Sequence, residues 1–93
     1  MKIEIENTFW IRFLSQLDYI ASYSPSAARK FRKGVLDAIP QICKNPYQYR
    51  KSIHFDDILV RDLVYKGYTI TFRITKTQIK VFGFTRYQQN VTD

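Results

Sequence analysis

Residues 58–85 read ILVRDLVYKGYTITFRITKTQIKVFGFT, and this stretch decides the fold class. Its apolar residues recur with a period of two, which is typical of half-buried strands. Lys66-Gly67 and Lys76-Thr77 interrupt the pattern and indicate turns. The stretch therefore predicts three strands, at 58–65, 68–75 and 78–85, joined as a meander.

Upstream of the meander, the apolar residues adopt a helical period. Residues 2–6, KIEIE, alternate and predict a short first strand, which is followed by a helix that ends near Tyr23. Ser24 and Pro25 are typical of the cap and first residue of a second helix, which should kink or end near Pro40. These elements predict an α+β fold, with an antiparallel helical hairpin packed on one face of an antiparallel sheet.

Composition limits the possible functions. The 93 residues are expected to form one domain, 1–93, and 45% of them are hydrophobic. Cys43 is the single cysteine, so neither a disulfide framework nor a thiolate metal site is expected. No apolar run reaches ~20 residues and no secretion signal is evident, which predicts a cytoplasmic protein without a membrane partner. The net charge of +7 indicates a polyanionic partner.

Alternation along the last two strands predicts which side chains leave the core. The side chains expected to face the helices are Ile70, Phe72, Ile74, Ile79 and Val81. Those expected on the uncovered face are Thr71, Arg73, Thr75, Lys80, Phe82, Phe84 and Arg86. Cations beside exposed aromatic rings suit a nucleic-acid or protein surface.

The segments PSAARKF, VRDL, YTITFRI and IKVFGFTR, in this order, resemble the RelE/ParE superfamily of type II toxins. The resemblance covers nearly the whole chain. It implies a hetero-oligomer with an antitoxin whose acidic C-terminal segment wraps the toxin, and it implies no cofactor. RelE-like relatives cleave messenger RNA on the ribosome, whereas ParE-like relatives inhibit DNA gyrase. A ribosome-dependent mRNA interferase is the main prediction, and a gyrase inhibitor or a basic nucleic-acid-binding module are the alternatives.

Candidate site residues follow from that resemblance. RNA cleavage without a metal requires a base, cations that stabilise the phosphorane, and an acid. The resemblance implies catalytic roles for Arg61, Arg86 and Tyr87. The cations predicted to bind nucleic acid are Arg50, Lys51, Arg73 and Lys80. No metal site is predicted.

Several of these residues have alternative interpretations. Arg61 could form a salt bridge with Asp56, Asp57, Asp62 or an acid on a helix instead of binding phosphate. Tyr87 could stack on a base or pack at an interface, because a phenol with a pKa of ~10 is a poor base at neutral pH. His54, the only histidine, could be a general base or an ordinary surface residue.

Overall fold

Two helices cover one face of a five-stranded sheet in the computed structural model, which describes residues 1–86. The helices are α1 (Asn7–Ala21) and α2 (Pro25–Ala38), and short 3₁₀ helices follow at Ile39–Lys44 and Pro46–Gln48. The strands are β1 (Lys2–Ile5), β2 (Arg50–Lys51), β3 (Val60–Tyr65), β4 (Tyr68–Ile74) and β5 (Gln78–Arg86). The predicted α+β class is confirmed.

The helix ends follow local chemistry. The Ser24 hydroxyl accepts a hydrogen bond from the backbone N–H of Ala27 at 3.1 Å, and Pro25 opens α2 as predicted. The α-helical hydrogen bonding stops at Ala38, and the chain continues as a 3₁₀ turn through Pro40. Within residues 1–86, neither helix is long and apolar enough to cross a membrane.

The sheet is mixed and has the order β1-β5-β4-β3-β2. The antiparallel β3–β4–β5 meander matches the prediction, and Lys66 and Gly67 both adopt positive φ (47° and 86°) in its first turn. β1, however, runs parallel to β5, so the prediction of a wholly antiparallel sheet is wrong. The helical hairpin brings the chain into β2 opposite in direction to β1, and three reversals from β2 to β5 then make β1 and β5 parallel.

A β-bulge in β5 changes which face its last residues occupy. Val81 lies opposite Phe72, but Gly83 lies opposite Thr71, so Phe82 is an extra residue in the ladder. Beyond the bulge the alternation is shifted by one residue.

The shift overturns two predicted orientations. Phe84 lies opposite Ile70 in the core and is 3% exposed. Arg86 lies opposite Tyr68, whose ring packs on Phe84, so Arg86 is also on the helix side. The expectation that Phe84 and Arg86 share the uncovered face with Arg73 is therefore wrong.

An aromatic cluster joins the two layers. Phe84 contacts rings from both helices and from β4, with centroid distances of 5.2–6.4 Å. Its ring partners are Phe9, Phe13, Phe31 and Tyr68. Packed aromatic pairs add ~0.5–1.5 kcal/mol each beyond their buried area, so the end of β5 is fixed against the helices.

Residues 52–59, here called the covering loop, lie over part of the sheet face that the helices leave free. The Phe55 ring meets Phe82 edge-on at 5.6 Å. Asp57 accepts hydrogen bonds from the Leu59 backbone N–H at 2.9 Å and from the Arg73 guanidinium at 2.7 Å. This second face is therefore partly covered by the protein's own chain and not bare, as the sequence predicts.

Gly34 of α2 provides a test of the helix–sheet packing. A Cβ added there would lie 1.8 Å from the Tyr65 hydroxyl oxygen, so Gly34→Ala forces the Tyr65 ring to move. Glycine to alanine normally stabilises a helix interior by ~0.5–1 kcal/mol, but overpacking costs ~1–3 kcal/mol. We expect Gly34→Ala to lower the free energy of unfolding, measured by urea denaturation.

The control is the same substitution in a Tyr65→Ala background, where the obstructing ring is absent. There Gly34→Ala should stabilise the protein, giving a large coupling free energy between the two sites. A destabilisation of equal size in both backgrounds would contradict the contact.

Asp57 provides a pH-dependent test of the covering loop. The Leu59 backbone N–H, and after it the Arg73 side chain, lower the pKa of Asp57. A lowered folded-state pKa gives stability that is present above about pH 4 and is lost as the pH falls through the folded-state value. We expect Asp57→Asn to lower the Tm at pH 7 and to have a progressively smaller effect below about pH 4.

Asp56→Asn is the matched control, because the Asp56 side chain is fully exposed and its contact with Lys51 is 3.4 Å long. It should leave the Tm nearly unchanged at every pH. A Tm difference for Asp57→Asn that does not depend on pH would show that its carboxylate charge is not involved.

Candidate functional site

Most cations predicted to bind nucleic acid are paired with aspartates. The pairs are Arg50–Asp62 at 3.5 Å, Lys51–Asp56 at 3.4 Å and Arg73–Asp57 at 2.7 Å. The Lys51 and Arg73 pairs are partly exposed, so solvent screens them and a stronger anion could compete for either cation. The second face is consequently much closer to neutral than its lysines and arginines alone suggest.

Asp62 is a residue that the sequence analysis did not single out. Its side chain is fully buried, and it accepts a hydrogen bond from the Thr71 hydroxyl at 3.0 Å in addition to the Arg50 contact. These contacts connect β2, β3 and β4 on the second face. A buried carboxylate with two donors is well satisfied, so the position serves the sheet. Its place between Arg61 and Leu63 gave the only hint, since alternation puts it on the face opposite to theirs.

Lys80 lies next to Arg73 on the neighbouring strand, and both face away from the helices. Lys80 is half-buried, and within residues 1–86 it forms no ion pair. Glu4 occupies the facing position on β1. Of the four predicted nucleic-acid contacts, Lys80 is thus the one without an aspartate beside it in the described part of the chain.

Arg61 is engaged with the protein's own backbone. Its Nε donates to the Ile58 carbonyl at 2.7 Å, and one terminal nitrogen donates to the carbonyls of Tyr47 and Tyr49 at 3.3 and 2.9 Å. The guanidinium also lies over the Tyr47 ring, 5.2 Å from its centroid. The expected aspartate salt bridges do not form. Instead, Arg61 joins β3 to the 3₁₀ turn before β2.

Arg86 lies on the helix side, at the end of β5. It lines a cavity of about 350 Å³ between β5 and α1, together with Arg12 and Tyr68. The polar side chains of Ser15 and Gln16 contribute to the same wall. Tyr87, the third predicted catalytic residue, lies outside the described residues.

A second cavity, of about 490 Å³, adjoins the first. Arg12, Phe84 and Thr85 line both cavities, and the second is completed by residues that include His54 and Phe55 of the covering loop. We call the two together the edge groove, because they follow the last residues of β5. Arg12 was not predicted: a single arginine on an exposed helix position carries no signal in the sequence.

The arrangement separates the groups that cleavage of RNA would have to bring together. Arg61 is bound to carbonyls at one end of β3, Arg73 is bound to Asp57 on the second face, and Arg86 faces α1. Metal-ion chemistry has no evident site either, since no three His, Cys, Asp or Glu side chains cluster among residues 1–86. What the described residues offer is a cationic groove suited to binding.

Comparison with known proteins agrees with the geometry. Residues 10–89 match the model of a family described as "ParE toxin of type II toxin-antitoxin system, parDE". A solved structure titled "Chromosomal ParDE TA system from P. aeruginosa" superposes with a TM-score of 0.77 at 15% identity, covering 95% of this chain and 97% of that one. No curated protein matches the sequence.

The structural likeness, at so low an identity, concerns the fold, and it reproduces the helical hairpin on a mixed sheet. The family model covers most of the chain, from α1 to beyond the end of β5. The resemblance to the RelE/ParE superfamily is therefore confirmed, and the chain belongs to the ParE toxin family of type II toxin–antitoxin systems.

Proposed function

We propose that this toxin inhibits DNA gyrase by binding it, without being an enzyme itself. ParE-family membership supports this target, because the family is typically one of gyrase inhibitors. The observation that carries the proposal is the separation of Arg61, Arg73 and Arg86, each of which has a different environment. The mRNA interferase predicted from the sequence is kept as the alternative outcome of the experiments below.

The separation argues against a metal-free ribonuclease on chemical grounds. Such an enzyme stabilises a phosphorane with cations that converge within hydrogen-bond distance of one phosphate. Here the Arg61 guanidinium has three N–H···O=C bonds to its own chain, and the Arg73 guanidinium has a short bond to a carboxylate. Redirecting both toward a substrate would require breaking bonds that hold the loops around β2. A binding function needs no such rearrangement.

We also propose that the partner antitoxin neutralises the chain by contributing an acidic segment, giving a hetero-oligomer. A type II toxin has a protein antitoxin, and the net charge of +7 favours an acidic one. Several cations of the described chain, on α1, α2 and β5, have no acidic side chain within salt-bridge distance. They are Arg12, Arg29, Lys30, Arg32 and Arg86.

Gyrase assays with the purified protein test the proposed target. We expect the chain to reduce ATP-dependent supercoiling and to accumulate linear plasmid after denaturant and protease treatment, because a poison traps the cleaved enzyme–DNA complex. The measurement is agarose electrophoresis of plasmid incubated with gyrase, with heat-unfolded chain as the control.

Toeprinting in a translating extract separates the two activities. An interferase would produce breaks in the ribosomal A site that Arg86→Ala abolishes. We expect intact message with both the parent protein and Arg86→Ala. Normal supercoiling together with Arg86-dependent breaks would reject gyrase as the target in favour of RNA cleavage.

Arg61 gives a second test, because a structural role and a catalytic role predict different losses. Removing its guanidinium leaves three carbonyls without their donor, and unsatisfied buried groups cost ~1–3 kcal/mol. We expect Arg61→Ala to reduce the free energy of unfolding by about that amount, measured by urea denaturation, and to reduce toxicity only in proportion to the fraction unfolded.

Arg32→Ala is the control for this variant. Arg32 is exposed on α2 and has no ion pair within residues 1–86, so the change should be within ±0.5 kcal/mol of neutral. An Arg61→Ala protein that is fully stable yet non-toxic would mean that Arg61 contacts the target directly.

A further inference from the structure

The last five residues of β5 have no strand on one side. β1 pairs with β5 only over the four positions from Gln78 to Val81. From Phe82 to Arg86, β5 is paired to β4 alone. The only bonds of this kind printed near the junction are the Glu6 N–H to the Val81 carbonyl at 2.8 Å and the Thr8 hydroxyl to the Phe82 carbonyl at 2.6 Å. Beyond them lies an unpaired strand edge.

The edge groove follows this unpaired edge. One of its cavities is lined by Phe82, Gly83, Phe84 and Thr85, and the other continues from Phe84 to Arg86. Five strand residues span about 17 Å, which matches four or five residues of an extended peptide. An unpaired row of backbone N–H and C=O groups is a template for an added strand.

The groove is also positively charged. Arg12 and Arg86 line it, and no acidic residue among positions 1–86 lies within salt-bridge distance of either. Arg73 and Arg50, by contrast, each have an aspartate partner. The two groove arginines are therefore available to carboxylates on an incoming chain.

We propose that an extended, acidic segment of the antitoxin adds to the free edge of β5 as a sixth strand of the sheet. Its backbone would hydrogen-bond along residues 82–86, while its carboxylates pair with Arg12 and Arg86. The proposal rests on the antitoxin partner that membership of the ParE family implies. It names the surface and the mode of binding, neither of which depends on the target of the toxin.

Two other occupants fit less well. A second copy of this chain paired edge to edge by a two-fold axis would bring Arg12 and Arg86 of both copies together, and like charges in one groove repel. Nucleic acid would satisfy the arginines but cannot form a ladder of N–H···O=C bonds with a strand edge. An acidic peptide satisfies both features at once.

The test is peptide titration of the ¹⁵N-labelled chain, followed by NMR. The probe is an acetylated, amidated VEVEVEVE peptide, whose alternation suits a strand. We expect chemical-shift changes confined to β5 and the facing side of α1, with slower hydrogen exchange of amides in residues 83–86. Because the assay involves neither gyrase nor toxicity, a negative result would leave the proposed function unaffected.

Variants and altered peptides separate strand addition from simple charge attraction. Arg12→Glu/Arg86→Glu should weaken VEVEVEVE at least tenfold, whereas Arg29→Glu/Arg32→Glu on α2, with the same charge change, should weaken it less than threefold. VEPEVEPE keeps the charge but loses N–H donors, and it should bind at least fivefold more weakly. Equal binding of the two peptides, equal effects of the two double variants, or shifts centred away from β5 would overturn the proposal.

Discussion

Phe82 is the extra residue of the bulge in β5, and the positions of the other functional elements depend on it. The bulge turns Phe84 into the core, where its ring meets both helices. The same shift carries Arg86 away from Arg73 and places it beside α1. Since side chains on a strand alternate strictly, one inserted residue moves every following side chain to the other face.

The protein uses two of its arginines for its own structure. Arg61 fastens the turn before β2 through three carbonyls, and Arg73 holds the covering loop through Asp57. Both loops enclose the short strand β2, which has only two residues and little pairing of its own. Charged hydrogen bonds are roughly twice as strong as neutral ones, so they suit loops with few apolar contacts. The same bonds reduce the positive charge available to a phosphate.

The remaining positive charge lies at the side of the molecule where β1 ends before β5 does. Because β1 has four residues and β5 has nine, more than half of β5 extends past its neighbour. Arg12 and Arg86 flank that extension. Proteins commonly protect free edges with charge, and here the charge is of one sign, which suits a partner of the opposite sign and discourages self-association.

Local patterns in the sequence determined the elements. Period-two alternation gave β4 and most of β5, Ser24 and Pro25 gave the start of α2, and the resemblance gave the family. The sequence could not determine the bulge at Phe82, because it arises from the register between two strands and has no local signature beyond a nearby glycine. Nor could it determine the bonds of Arg61 or the proximity of Arg12 to Arg86, 74 residues later. Such contacts depend on how distant segments pack, and only the tertiary structure decides them.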